Sequence, residues 1–238
     1  MNKKTIILLC VCAAAVIVLL AFLLGRKPAA PAQNTPSPSA TQSSTDTESP
    51  AASASAEAAA QPRALSDDEL KRFADQLNAA DNYGFLLSEY SDVRDADLTQ
   101  IFYSGAGIAP AADAQAILDA RRAALGDAAP DTAGLVLKTS QIDEFLKSKT
   151  GYTLKEMHSK LDWDYDPGND AYLRFYGDTN QIHVLSASGK ALGGDRYKIT
   201  CTYDGPFYIP DVGLVSGCIT TFSCKDGKIT FLSNTFVQ

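Results

Sequence analysis

The chain begins with an apolar run that is long enough to cross a membrane. Residues 5–24, TIILLCVCAAAVIVLLAFLL, carry no charged side chain, and basic residues flank them on both sides. A helix of this length rises about 30 Å, which matches the hydrocarbon core of a bilayer. A secretory signal peptide has a shorter apolar region of roughly 7–15 residues. The run predicts a transmembrane anchor that contacts the lipid bilayer through residues 5–24; cleaved secretion is the alternative.

The next segment, residues 28–62, has the composition of a tether. It contains six prolines and no Leu, Ile, Val or aromatic residue, so it cannot bury enough apolar surface to offset the entropy of ordering.

The orientation of the anchor in the membrane does not follow from its flanking charges, because basic residues are almost equally numerous on its two sides. The tether indicates the orientation instead, since long Pro/Ala/Ser/Thr segments are typical of extracytoplasmic stalks. We therefore expect residues 1–27 to form a cytoplasmic tip and single-pass anchor, residues 28–62 a disordered tether, and residues 63–238 a globular domain outside the cytoplasm at the cell membrane.

The charge of the globular part argues against one class of partner. Residues 63–238 hold 17 of the 21 basic residues and 25 of the 28 acidic ones. A domain with this negative charge and no basic stripe repels phosphate backbones. We expect no binding to nucleic acid.

Helix signals occupy the first half of the domain. Ser66 and Glu69 have the spacing of a capping box, and apolar residues then recur on one helical face. Further helices are predicted from near Pro110 to Leu125, from Ser140, and from Thr153. The last of these is predicted to carry Leu154, Met157, His158 and Leu161 on one face, with His158 a satisfied core residue.

Strand signals fill the second half and follow one short strand, residues 134–138. Alternating patterns predict strands at residues 171–176, 181–188, 196–203, 214–224 and 228–237. Asp226-Gly227 is typical of a two-residue hairpin turn, which places Cys224 opposite Ile229. The same register places Phe222 opposite Phe231. We expect an α+β fold in which helices cover one face of an antiparallel meander sheet.

The order of helices followed by a meander, ending in TTFSCKDGKITFLSN, resembles small extracytoplasmic bacterial domains of unknown function. Some of these are NTF2-like cones, in which a curved sheet folds over helices. The resemblance spans residues 65–236 in outline, and the helical material before Gly134 departs from a minimal cone. It implies a fold and no functional residues, because such folds host enzymes and binding proteins alike.

Two groups of aromatic and polar residues are candidates for ligand binding. The first would line the concave face of a curved sheet; it comprises Tyr172, Arg174, Tyr176 and His183. The second lies on a proline-stiffened loop, residues 203–210, where Phe207 and Tyr208 would stack on a sugar or a partner. The alternatives are that the first face packs under the helices or is simply exposed, and that the loop is a self-packed hairpin end.

An acidic cluster is the one candidate for a metal ion. It comprises Asp162, Asp164, Asp166 and Asp170. Alternate carboxylates suit a hard cation such as calcium, but an EF-hand loop needs glycine at its sixth position and glutamate at its twelfth. Counted from Asp162, those positions hold Pro167 and Leu173. The pattern therefore favours a solvated turn, and we expect no bound metal or cofactor.

Three cysteines fall on predicted apolar faces: Cys201, Cys218 and Cys224. Cys201 and Cys218 can lie opposite one another on paired strands, where a disulfide is one outcome and two buried thiols the other.

These patterns rank three functions. The leading hypothesis is a non-catalytic, membrane-anchored module that binds a ligand or partner; no residue is assigned a catalytic role. The first alternative is a cell-envelope hydrolase that uses paired carboxylates. The second is a structural or assembly component.

Overall fold

Our computed structural model describes residues 61–176, 182–209 and 212–238. The predicted anchor in residues 1–27 and all but the last two residues of the predicted tether, residues 28–62, lie outside this part of the chain. None of the helices in the described ranges is both long and apolar enough to span a bilayer. Within these ranges the fold is α+β, with helices packed on antiparallel sheets.

The first helix, α1 (Asp67–Leu77), begins where its capping box predicts. The Ser66 hydroxyl accepts a hydrogen bond from the Glu69 amide, and the Glu69 carboxylate accepts one from the Ser66 amide. This reciprocal pair satisfies two amides that the first turn leaves without partners. The helix buries Phe73 and Leu77 completely, so the predicted apolar face is confirmed.

An irregular segment that the patterns did not assign follows α1. It contains three single turns of 3₁₀ helix and a short helix, α2 (Leu98–Phe102). The turns span Tyr83–Leu86, Val93–Asp95 and Gly105–Gly107. Although short, these turns and α2 supply much of the core. Phe85 and Leu86 in the first turn, and Leu98 and Phe102 in α2, are fully buried.

The middle of the chain forms two helices around a strand. Helix α3 (Ala114–Leu125) starts four residues after Pro110. Gly126 is its C-cap, as predicted. A 3₁₀ turn, Gly126–Ala128, follows it. Strand β2 (Gly134–Lys138) matches its prediction. Helix α4 (Thr139–Thr150) follows directly, beginning one residue before the predicted Ser140.

The larger sheet has five antiparallel strands, in the order β1-β5-β6-β7-β8. Its strands are β1 (Arg63–Ala64), β5 (Val184–Gly193), β6 (Arg196–Ile209), β7 (Gly213–Lys225) and β8 (Lys228–Val237). Strands β5 to β8 form the predicted meander. The hairpin register is confirmed, because Cys224 pairs with Ile229 and Phe222 with Phe231. Asp226 and Gly227 have φ of 52° and 77°, as a type I′ turn needs.

A second sheet of three strands, in the order β2-β4-β3, stands apart from the meander. It contains β3 (Asp164–Asp166) and β4 (Ala171–Phe175), and β4 pairs with both of its neighbours. The prediction that β4 belongs to the meander is therefore wrong. Alternation shows which residues share a face of a strand, but it does not identify the neighbouring strand.

Two hydrophobic cores hold these layers together. The main core joins the inner face of the larger sheet to α1, the 3₁₀ turns, α2 and α4. The smaller core lies between α3 and one face of the three-stranded sheet, and comprises chiefly Ile117, Leu118, Val136, Ala171 and Leu173. The opposite face of that sheet contributes Leu135 and Leu137 to the main core. The small sheet is thus covered on both faces.

Two local predictions are wrong. The capping box of Thr153 and Glu156 forms, but it starts only a 3₁₀ turn, Leu154–Glu156, and Met157 is already extended at ψ 147°. The predicted loop at residues 203–210 is strand as far as Ile209, with a bulge between Thr202 and Phe207. The bulge includes Pro206, which has no amide to donate to a ladder. Pro210 lies outside the described residues.

Candidate functional site

A cavity of about 470 Å³ opens where α4, β4 and the extended segment after the Thr153 turn meet. We call it the His158 cavity. Its lining residues are Thr139, Asp143, Leu154, Lys155, Met157, His158, Ser159, Lys160, Leu161 and Tyr172. This volume falls in the range of about 300–1,000 Å³ that is usual for sites of small ligands.

The floor of the His158 cavity is apolar. Met157 and Leu161 are buried in the main core, and the partly buried Leu154 and Tyr172 pack against it. The Tyr172 ring lies 4.9 Å from the Tyr165 ring, centroid to centroid. Burial raises the pKa of Tyr172, so its phenol stays protonated at neutral pH and can donate a hydrogen bond.

The rim of the cavity is basic and polar, and contacts with an earlier turn hold it in place. The His158 Nδ1 lies 2.8 Å from Asp95 Oδ1, and the His158 amide donates to the Arg94 carbonyl at 2.9 Å. The Ser159 hydroxyl donates to the Ala96 carbonyl. The His158 side chain is about half exposed, 52%, so the prediction that it is a core residue is wrong. Its ring stands at the mouth of a cavity instead.

The two lysines of the rim present the uncompensated charge. Lys155 and Lys160 are exposed, and neither forms an ion pair or a side-chain hydrogen bond with any described residue. The one carboxylate in the lining, Asp143, accepts a hydrogen bond of 2.7 Å from the Leu154 amide. Thr139 donates to Asp170 at 2.6 Å. The cavity therefore offers an apolar floor beneath cationic groups.

The residues predicted for a concave pocket do not all lie together. Tyr172 lines the His158 cavity, as described above. Arg174 lies further along β4, with its guanidinium 4.8 Å from the centre of the Tyr103 ring. The Tyr176 amide donates to the Ala133 carbonyl, and its side chain packs against the main core. Arg174 and Tyr176 thus contact other parts of the fold and do not line the His158 cavity.

The remaining predicted ligand residues lie on the larger sheet. His183 is exposed beside β5, and its carbonyl accepts a hydrogen bond from the Asp204 amide. Phe207 pairs with Val215 and packs partly on the core. Tyr208 is 65% exposed. Among the described residues, no hydrogen bond or ring contact joins this group to Tyr172, Arg174 or Tyr176.

The four aspartates of the acidic cluster point to separate partners. Asp164 forms an ion pair with Arg121 at 2.7 Å, and Asp166 caps the turn through Gly168 and Asn169. Asp170 accepts hydrogen bonds from Thr139 and Tyr165, and these bonds lower the pKa of its carboxyl group. Asp162 is exposed. Within residues 61–176, 182–209 and 212–238, no three acidic, histidine or cysteine side chains group as metal ligands would.

A second depression, of about 480 Å³, lies on the larger sheet and is lined by three basic side chains. It is lined by Pro62, Arg63, Ala64, Gly189, Lys190, Lys198 and Thr200. Lys190 and Lys198 are cross-strand partners. Glu69 already neutralises Arg63 through two short hydrogen bonds. This depression has no buried floor comparable with Met157 and Leu161, so the His158 cavity is the better candidate site.

Sequence reasoning missed the residues that form the rim. Lys155, Ser159 and Lys160 stand beside Met157 and Leu161 in the segment KEMHSKL. A run in which lysines flank two apolar residues was the available signal. The same spacing of apolar residues also fits an amphipathic helix, which is the structure that the pattern predicts.

Comparisons with known proteins identify no protein similar to this chain. No family model matches the chain, and neither a curated protein nor a solved structure matches it. The resemblance to NTF2-like domains therefore stays an expectation from the sequence.

Proposed function

We propose that this chain is a single-pass membrane protein whose domain, held outside the cytoplasm, binds a small amphipathic anion in the His158 cavity. The observation that carries the proposal is the combination of a buried apolar floor with two lysines at the rim that form no ion pair with any described residue. An apolar cavity with a few convergent polar groups is the usual form of a small-molecule site. The floor would take the apolar part of the ligand, and Lys155 and Lys160 its negative charge.

The sequence supports the membrane part of this proposal. Residues 5–24 are apolar over the length of a bilayer, and residues 28–62 have the composition of a flexible stalk.

The positions and hydrogen bonds of the carboxylates favour binding over hydrolysis. A glycosidase needs two carboxyl groups about 5–10 Å apart across the substrate. The His158 cavity contains a single carboxylate, Asp143, which already accepts the Leu154 amide. Asp164 and Asp166, two of the aspartates that suggested a hydrolase, line a separate cavity of about 340 Å³. There Asp164 pairs with Arg121, and Asp166 caps the turn at Gly168.

Tryptophan fluorescence of the full chain in lipid nanodiscs tests the binding proposal. Trp163 is the only tryptophan, and it lies buried two residues from Leu161 in the floor. We expect phenyl phosphate to change its emission with saturation, and phenol, which lacks the charge, to bind more weakly. Each of the substitutions Lys155→Gln and Lys160→Gln should weaken phenyl phosphate binding about two- to five-fold, the usual effect of one exposed ion pair.

Lys225→Gln is the matched control, because Lys225 is an exposed lysine at the distant β7–β8 hairpin. It should leave the affinity unchanged. Equal affinities for phenol and phenyl phosphate, or a Lys155→Gln, Lys160→Gln double variant that binds like the parent, would contradict the proposal.

Labelling of intact cells tests the topology separately. A membrane-impermeant amine reagent should modify Lys225 in intact cells, and peptide mapping identifies the site. Labelling that appears only after lysis would place the domain inside the cell and overturn the proposed orientation, whatever the outcome of the binding experiment.

A further inference from the structure

Cys201 and Cys218 face each other across the two central strands of the larger sheet. They are Cα partners in the antiparallel ladder between β6 and β7. Opposite residues in such a ladder have Cα atoms about 4.5 or 5.5 Å apart, and both distances fall in the range of about 4.4–6.8 Å that a disulfide requires. Their side chains also share a face of the sheet, because both are buried on the inner side.

The backbone at this position is unusually close-packed. A Cβ atom added at Gly217, next to Cys218, would overlap the carbonyl oxygen of Cys201. Glycine is thus required there for β7 to approach β6. The bulge after Thr202 interrupts the ladder one residue beyond Cys201, so the strand can adjust locally.

The surroundings suit a structural pair better than a reactive thiol. Cys201 and Cys218 are 1% and 0% exposed. The polar groups near Cys218 are the phenols of Tyr90 and Tyr203, and burial raises the pKa of both. A reactive thiolate needs a cation, a histidine or a helix N-terminus and access to solvent, and the causes that shift these two thiols include none of these.

We propose that Cys201 and Cys218 form an intramolecular disulfide when the domain folds in an oxidising compartment, and that Cys224 remains a free thiol. The oxidant is a disulfide of low molecular weight or of a dithiol oxidase. The thiolate of one of the two cysteines attacks one oxidant sulfur and releases the other as a thiolate. The thiolate of the second cysteine then attacks the sulfur of the first, closes the new bond and releases the second oxidant thiolate. Two protein thiols are oxidised, and one oxidant disulfide is reduced to two thiols.

Exchange has to precede closure of the core, since α1, α4 and the 3₁₀ turns cover the inner face afterwards. Once closed, the bond is shielded from reductants.

The test refolds the full chain from a reduced, unfolded state in detergent, in a glutathione buffer with the redox poise of an oxidising compartment. The product is then denatured without reductant and alkylated with iodoacetamide. The chain has five cysteines, of which we expect three, Cys10, Cys12 and Cys224, to be modified. Peptide mapping should recover the 201–218 link. Alkylation of all five, or a link that includes Cys224, would overturn the proposal.

Thermal unfolding provides a second measurement. The bond closes a loop of about 17 residues between Cys201 and Cys218, so the oxidised form should unfold about 6–12 °C above the reduced form. Cys224→Ser should retain this difference, and Cys201→Ala with Cys218→Ala should abolish it. Because the redox buffer is supplied, the result does not depend on where the cell holds the domain. Failure of the disulfide and failure of the proposed location are therefore distinguishable.

Discussion

Tyr90 and Asn234 exchange two backbone hydrogen bonds of 2.9 Å and so join the irregular segment after α1 to the last strand, β8. The Asn234 side chain strengthens this link, since its Nδ2 donates to the carbonyls of Leu86 and Ser88. Asn234 is 1% exposed. The Tyr203 hydroxyl also donates to the Leu86 carbonyl, so removal of the amide leaves mainly the part-buried Ser88 carbonyl without this partner. A carbonyl that loses its donor in the folded state keeps its desolvation penalty.

We therefore expect Asn234→Ala to lower the free energy of unfolding by about 1–3 kcal/mol. Chemical denaturation followed by Trp163 fluorescence measures this change. Thr235→Ala is the control, because Thr235 is the next residue of β8 and is exposed. If both variants unfold at the same denaturant concentration, the Asn234 amide does not stabilise the link between Tyr90 and β8.

A second prediction concerns acid. Hydrogen bonds from Arg63, and then from the Ser66 amide, lower the pKa of Glu69 to about 2. A carboxyl group whose pKa is depressed in the folded state stabilises the fold above its unfolded pKa, about 4.5. That stabilisation is lost as the pH falls from about 4.5 to 2. Acidification through this window should therefore weaken the tie between β1 and α1.

Glu69→Gln isolates this effect, because glutamine retains the capping box but carries no charge. We expect the parent to be more stable than the variant at pH 6 and the difference to shrink steadily towards pH 2. Urea midpoints at several pH values measure it. Glu144→Gln, at an exposed glutamate without an ion pair among the described residues, should show no such trend. If the difference in stability between the parent and Glu69→Gln did not change with pH, the charge of Glu69 would not be its cause.

The features that the sequence predicted correctly are those whose partners are close in the chain. The capping box of Ser66 spans three residues. The β7–β8 hairpin depends on Asp226 and Gly227, whose positive φ angles set the register of both strands. In such cases, local sterics and hydrogen bonds determine the structure, so reading the pattern is enough.

The features that were missed depend on distant partners. Met157 and Leu161 are four residues apart, a spacing that fits a helix but also fits an extended segment lying over a core. The hydrogen bond from the Ser159 hydroxyl to the carbonyl of Ala96, 63 residues earlier, favours the extended conformation. The spacing of apolar residues within the segment does not predict that contact. The His158 cavity, which depends on it, was therefore beyond what the sequence alone predicts.

A third prediction tests the packing of the irregular segment. Gly84 lies in the 3₁₀ turn Tyr83–Leu86, and a Cβ atom there would stand 2.8 Å from Ile101 Cα and 2.9 Å from its carbonyl oxygen. Both atoms belong to the backbone of α2 and cannot move aside. We expect Gly84→Ala to lower the free energy of unfolding by about 1–3 kcal/mol, the usual cost of overpacking.

The matched control is Gly205→Ala, because an added Cβ at Gly205 meets nothing within 4 Å. Urea denaturation of both variants measures the difference. A Gly84→Ala protein as stable as Gly205→Ala would show that the turn and α2 are less tightly packed than their contact implies.

The last prediction concerns Lys190 and Lys198, which are direct cross-strand partners on the exposed face of the larger sheet. Neither forms an ion pair with any residue that the structure describes. Like charges that lie directly opposite destabilise a pair of strands, and opposite charges stabilise it, by roughly 0.2–1 kcal/mol in each case. We therefore expect Lys198→Glu to raise the free energy of unfolding by about 0.4–2 kcal/mol, which urea denaturation at low ionic strength can measure.

Lys198→Gln separates the two contributions, since it removes the repulsion without adding an attraction, and should give about half of the gain. In roughly 1 M salt the Debye length falls to about 3 Å, so the gain of Lys198→Glu should largely disappear. Lys198 faces Thr221 on its other side, a neutral neighbour that offers the glutamate no competing charge. A Lys198→Glu protein no more stable than the parent at low salt would mean that the two ammonium groups diverge into solvent.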